Sequence, residues 1–246
     1  MKSKDTRKPL SRQTMKRHIN KDWLSLYPGY GGIWNYTIVK RFDILLVGIY
    51  LQYSSYSESY IPTFFITNFV TLPSYAFNFS QRYHASNNGS ETWIDFSEHA
   101  TLFREAANEF QKEFGNFLVD EGLTLSQVKK FLQYMVSESE DRLRNHVVKK
   151  FMQFDERTMQ ECLAVLCAYG NQKSEAEGFI ANAINIIKQY NEINYKNTMR
   201  FYEVNNLSEW EAKLRKKCSS DLNKAIGEKV IEYKLEKIPN SPLIID

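Results

Sequence analysis

The hydrophobic period of this chain changes near residue 97, and that change restricts its fold more than any other feature. Before it, runs of aromatic and β-branched residues occupy Ile33–Val39, Phe42–Tyr53, Tyr60–Leu72 and Thr92–Phe96. Such residues suit a pleated, half-buried surface, so these runs read as strands. After it, Phe103, Ala106, Ala107, Phe110, Phe114 and Phe117 recur at steps of three and four, which marks one face of a helix. Four capping boxes follow the same logic: Asp95 with Glu98, Thr124 with Gln127, Ser174 with Glu177 and Ser208 with Glu211. In each, a short side chain takes an early helix amide and the later Glu or Gln reaches back. The predicted helices run over 97–119, 125–137, 140–153, 156–169, 174–190 and 208–218.

The punctuation between these runs sets the topology. The polar connector Ser54–Ser59 (SSYSES) separates two long strand-like runs, as a hairpin loop between antiparallel neighbours does. Pro62 lacks a backbone donor and suggests an edge position or a strand start. Gln81–Glu91 holds the Asn88-Gly89 turn signal and reads as an exposed loop. Pro28–Gly32 (PGYGG) reads as a turn before the first strand, because a phosphate cradle needs a helix directly after its glycines. In 228–238, Val230, Glu232, Lys234 and Glu236 alternate with Ile231, Tyr233 and Leu235, a period-two pattern that predicts an amphipathic edge strand. A lone strand must pair, and the sheet open to it is the N-terminal one. The expectation is therefore an α+β fold: a small aromatic-rich antiparallel sheet, made of N-terminal strands plus a returning C-terminal strand, packed against a helical bundle. Its parts are a basic flexible lead at 1–22, one domain at 23–238 (23–96 mainly β, 97–226 mainly α, 228–238 the returning strand) and an extended tail at 239–246.

Composition narrows the class. The chain of 246 residues holds 10 Gly and 6 Pro, about half of average usage, which excludes linker-rich and collagen-like chains. Hydrophobic residues at 43% and charged residues at 25% exclude a disordered one. The longest apolar run, Ile44–Leu51, is eight residues, far short of the ~18–20 that cross a bilayer. With no apolar leader at the N-terminus and three cysteines, Cys162, Cys167 and Cys218, two of them inside an apolar helical stretch, a reduced cytoplasmic protein is expected.

Charge is divided unevenly. Residues 1–22 carry eight Lys and Arg against two Asp, a net +6; since the whole chain sums to +3, the remainder is −3. The basic balance belongs to the lead, and a mildly acidic body argues against a globular surface built to grip a nucleic-acid backbone.

Two functional readings follow. Tyr50–Tyr60 (YLQYSSYSESY) is dense in Tyr and Ser, a composition that binding loops use because Tyr offers large area at low entropy cost and Ser adapts its hydrogen bonds. Tyr53, Tyr56 and Tyr60 are expected at a surface or rim. This supports a non-enzymatic accessory protein acting through a protein–protein contact, with no cofactor or metal. The alternative is nucleic-acid binding through Arg7, Lys8, Arg12, Lys16 and Arg17 of the lead. Metal-dependent cleavage would then need Glu232 and Lys234 on one strand face, with Asp43 from a neighbouring strand. The segment 125–153 also admits a helix-turn-helix whose second helix, 140–153, carries Arg142, Arg144, Lys149 and Lys150; a plain bundle pair explains it as well. His99, beside Glu98 at a predicted helix start, is expected to be solvated or capping. Self-association through an edge strand is compatible with both readings.

Overall fold

The computed structural model describes residues 11–33, 36–71, 79–83, 91–143, 149–195 and 206–246. The fold is α+β, a sheet packed on helices. In chain order the elements are α1 (Arg12–Ser25), β1 (Gly31–Ile33), β2 (Thr37–Phe42), β3 (Leu45–Tyr53), β4 (Ser59–Asn68), β5 (Phe79–Arg82), β6 (Ile94–Asp95), α2 (His99–Phe114), α3 (Leu125–Leu143), α4 (Lys149–Tyr169), α5 (Lys173–Tyr195), α6 (Leu207–Lys217), α7 (Leu222–Glu232) and β7 (Asn240–Ser241). The strands run β1-β2-β3-β4-β5, antiparallel throughout, and two short pieces sit on the flanks: β6 antiparallel to β4 and β7 parallel to β2.

The β3–β4 pair is the spine, in register from Leu45↔Asn68 to Tyr53↔Tyr60, and the Ser54–Glu58 loop closes it as the sequence implies. All ten residues of β4 are buried, so both faces of the sheet are covered. Directly opposed residues share a face, which puts Tyr53, Tyr60, Ile49, Phe64, Val47 and Ile66 on one side. Helices α1 and α2 cover that side. Phe64 lies flat on Phe114 of α2, with centroids 4.0 Å apart and planes at 4°. Such stacking adds about 0.5–1.5 kcal/mol to the burial itself. The aromatic excess is therefore largely core: Phe79, Phe110, Phe114, Phe117 and Phe131 form one linked set of rings with Phe64.

Pro62 is interior rather than at an edge, for a specific reason. Its carbonyl accepts from Tyr83 N, so its missing N–H lies on the same side. That point falls between the rungs made by β5 at Thr63–Ile66 and by β6 at Ser59–Tyr60. β5 itself replaces the start of the loop expected at 81–91, and residues 84–90 lie outside the described ones.

The C-terminal segment does return to the sheet, but not as a strand at 228–238. Leu222–Glu232 is helix α7, a 3-10 turn covers Leu235–Lys237, and the pairing is made by Asn240 and Ser241 against Arg41 and Phe42. Four-residue spacing wins over alternation: Leu222, Ile226 and Val230, with Ala225 and Tyr233, pack inward, while Ile231 is 69% exposed. The expected tail 239–246 is docked as well. Asp43 Oδ2 accepts from Leu243 N and from Tyr169 Oη, each at 2.8 Å, and Asp246 caps α3 at Ser126 N, 3.0 Å away.

The lead differs in the same direction. From Arg12 onward it is helix α1, with Ile19 and Trp23 fully buried. The break expected between helices 125–137 and 140–153 is absent: helix α3 continues to Leu143, and 144–148 lie outside the described residues, so the basic helix 140–153 is not placed as a unit. Of the four capping boxes, one forms as drawn: Thr124 N donates to Gln127 Oε1 (3.0 Å) and Gln127 N to Thr124 Oγ1 (3.2 Å). At α6 the cap shifts to Asn206, whose side chain accepts from Glu209 N.

Candidate functional site: a basic helix against a Tyr/Ser loop

The lead and the Tyr/Ser loop, separate in sequence, meet at one corner. The loop is built first by its own residues. Ser54 Oγ accepts from Tyr56 N (3.1 Å) and Ser57 N (3.0 Å), and Ser57 and Ser59 hydroxyls bond each other at 2.6 Å. These short side chains supply the turn's internal bonds, the physical reason Ser suits such positions. Helix α1 then closes over it: the Arg12 guanidinium donates to the carbonyls of Ser54 and Ser57, the latter at 3.0 Å. Tyr56, held in this frame, is fully exposed.

The two other tyrosines lie elsewhere. Tyr53 is half-buried, donates to the Lys16 carbonyl (3.2 Å) and packs edge-on to Tyr36 at 4.5 Å. The Lys16 ammonium sits 4.6 Å from the Tyr53 ring centre and 5.6 Å from that of Tyr36, a cation–π contact with this edge-on pair. Burial, then the nearby Arg12 charge, lowers the Lys16 pKa. Tyr60 is 0% exposed, against the expectation of a surface or rim position, whereas Tyr56 is at the surface and Tyr53 at its rim. The reason is register: Tyr60 points to the face that α1 and α2 cover, whereas Tyr56 lies beyond the last rung of the ladder. Burial pushes the hydroxyl pKa values of Tyr53 and Tyr60 well above their ordinary value.

Of the basic lead residues, Arg12 and Lys16 are occupied by the loop and its rings, Arg17 is exposed, and Arg7 and Lys8 lie outside the described residues. The strand that was to carry Glu232 and Lys234 is absent. Glu232 ends α7 and pairs with Lys229 at 2.7 Å; Lys234 follows in a left-handed conformation, φ 56°. Asp43 instead binds Tyr169, Leu243 and Asn240. Among the described residues no group of three acidic, His or Cys side chains is placed to hold a metal ion, and no helix is long and apolar enough to cross a membrane.

A separate cleft of about 870 Å³ opens where α4 meets α5 and α6 meets α7, lined by Tyr169, Asn171, Lys173, Glu177, Cys218 and Ser219. Burial pushes the Cys218 thiol up to about 12, so it is protonated and weakly nucleophilic at neutral pH. Cys162 and Cys167 are free and buried.

Sequence reasoning missed His99. It is buried, not solvated, and lies between Tyr60 and Asp22. Its position beside Glu98 carries no signal of this, because both partners come from other elements. Fold and corner together define an α+β protein with an exposed, braced aromatic loop. No protein-family model, curated protein or solved structure matches the chain.

Proposed function

We propose that this is a binding or accessory protein, not an enzyme, whose protein-contact surface is the Tyr56 loop with the outer side of α1. One observation carries the reading: a fully exposed tyrosine stands on a loop fixed by its own serines and by Arg12. A loop backbone ordered before binding loses little entropy on binding. Tyr and Arg are also the residue types that concentrate interface energy. The Ser54 and Ser57 carbonyls are already satisfied by Arg12, so closing a partner over them adds no unpaired acceptor.

The test places a photo-crosslinking phenylalanine analogue at position 56 in the native cell, and at Tyr134, exposed on α3, as the comparison. A discrete adduct at 56, absent at 134, is expected. Arg12→Ala should weaken the purified contact about five- to tenfold, since removing the brace forfeits about 1 kcal/mol of preorganisation. No adduct at 56, or the same adducts at both positions, overturns the proposal.

The nucleic-acid alternative retains one observation in its favour: Arg17, His18 and Lys21 are exposed on α1. Neutralised phosphates make affinity fall steeply with salt. A flat dependence of duplex binding on salt sets that alternative aside.

A further inference from the structure

One hydrogen-bonded chain, buried from Trp23 to His99 and half-exposed at Asp22, joins three elements and is not part of the exposed corner. Trp23 Nε1 of α1 donates to Tyr60 Oη of β4 at 3.1 Å. Tyr60 Oη lies 2.8 Å from His99 Nδ1 of α2, and His99 Nε2 lies 3.2 Å from Asp22 Oδ2, back on α1. Donor chemistry fixes the direction. The Asp22 carboxylate can only accept, so the neutral His99 ring carries its proton on Nε2 and gives it to Asp22. Nδ1 is then an acceptor, and Tyr60, whose oxygen accepts the indole N–H, sends its own proton there. The chain is complete only while the ring is neutral. A second proton, on Nδ1, would turn that nitrogen into a donor. Tyr60 Oη would then face two donors, and its own O–H would lose its acceptor inside the core, where an unmade bond is costly.

We infer that His99 is a proton-operated latch: the neutral ring ties α1 to β4 and α2, and the protonated ring lets α1 go. The surroundings set the sense of the response. From α1, Asp22 favours the imidazolium and Trp23 offers no charge. From β4 comes Tyr60, neutral. From its own helix, Phe103 stacks on the ring at 4.7 Å, while the neighbouring Glu98, and Asp95 of β6, are exposed. Burial dominates over Asp22 and lowers the His99 pKa from 6.5. With α1 released, the ring regains water and an ordinary pKa of about 6.5. The latched form thus binds the proton more weakly than the open form. Nothing changes above about pH 6.5. Below it the open population grows, by up to tenfold for each pH unit, until the latched ring itself titrates. Release also withdraws Arg12 and Lys16 from the loop, but the latch stands whether or not that loop meets a partner.

Hydrogen exchange of the full chain, corrected for intrinsic chemistry, tests this at pH 7.5 and 5.5. Amides of Arg12–Ser25 should exchange up to tenfold faster at the lower pH, while those of Leu45–Leu51 hold their protection. His99→Asn, which cannot titrate, should flatten the response. Should that variant fail to fold, Asp22→Asn serves: without the carboxylate the latched ring is a weaker base, so the response continues to lower pH and ends larger. Equal exchange at both pH values overturns the latch. So does loss of protection in β3 in step with α1, an undiminished response in a folded His99→Asn, or an unchanged one in Asp22→Asn.

Discussion

Trp23→Ala should lower the free energy of unfolding by about 3–5 kcal/mol, the range for deleting a large buried aromatic, read as a fall in the denaturant midpoint at unchanged slope. Trp23 is fully buried and packs against Phe103 at 6.5 Å and Phe110 at 6.4 Å, so the vacated volume is bounded by rigid rings of α2. The substitution also strips Tyr60 Oη of a donor. Trp23→Phe separates the two contributions. It keeps an aromatic ring in the site and removes only the N–H, so it should cost about 1 kcal/mol beyond its smaller volume. If Trp23→Ala behaved as a surface substitution, within ±0.5 kcal/mol, the docking of α1 described above would be wrong.

That helix also shows where the sequence was readable and where it was not. Met15, Ile19 and Trp23 stand four residues apart, one stripe of a helix. A boundary at residue 22, where the basic charge ends, separates Trp23 from this stripe and leaves the lead only Leu10, Met15 and Ile19 as apolar anchors, enough for a short, loosely docked helix. Charge marks solvation, and here the apolar stripe decides position. The same competition operates in α7, where alternation and four-residue spacing both fit the letters. Pairs at helical spacing, Lys224 with Glu228 and Lys229 with Glu232, favour the helix. The central hairpin was legible because two long β-rich runs flank one polar turn. The burial of Tyr60 was not, because which face of β4 is covered depends on α1 and α2, distant in sequence. His99 was invisible for the same reason: Asp22 and Tyr60 lie 77 and 39 residues away.

The candidate corner has the same origin. Composition singled out a Tyr/Ser loop and a basic lead as rival signals, each with its own function. In the fold they are one structure, with Arg12 bonded to the loop's carbonyls and Lys16 lying over Tyr53. Part of the lead's charge is thereby spent on internal contacts. That reduces what is left for phosphates and leaves Tyr56 as the ring presented outward.

Gly48→Ala should be the most disruptive change of a single methyl in the sheet, costing at least about 3 kcal/mol and lowering soluble yield. Overpacking a well-filled core usually costs about 1–3 kcal/mol, because side chains can shift. Here the obstacle is backbone. A Cβ on Gly48 would fall onto the Ile38 carbonyl oxygen and within 2.9 Å of Val39 Cα, both in the neighbouring β2. Gly48 is opposed by Val39 on one side and Phe65 on the other, so β3 cannot move away from one strand without displacing the next. A glycine amid the apolar run Ile44–Leu51 marks such a close approach rather than a weak point in the strand. Gly178→Ala is the matched control, since its Cβ would meet nothing within 4 Å on helix α5. There the added methyl restricts the unfolded chain and favours helix, so stability should rise by about 0.5–1 kcal/mol. Thermal unfolding of the two variants should move in opposite directions from the parent. A Gly48→Ala protein that melts with the parent would mean that β2 and β3 are not held at the spacing on which the register of the whole sheet depends.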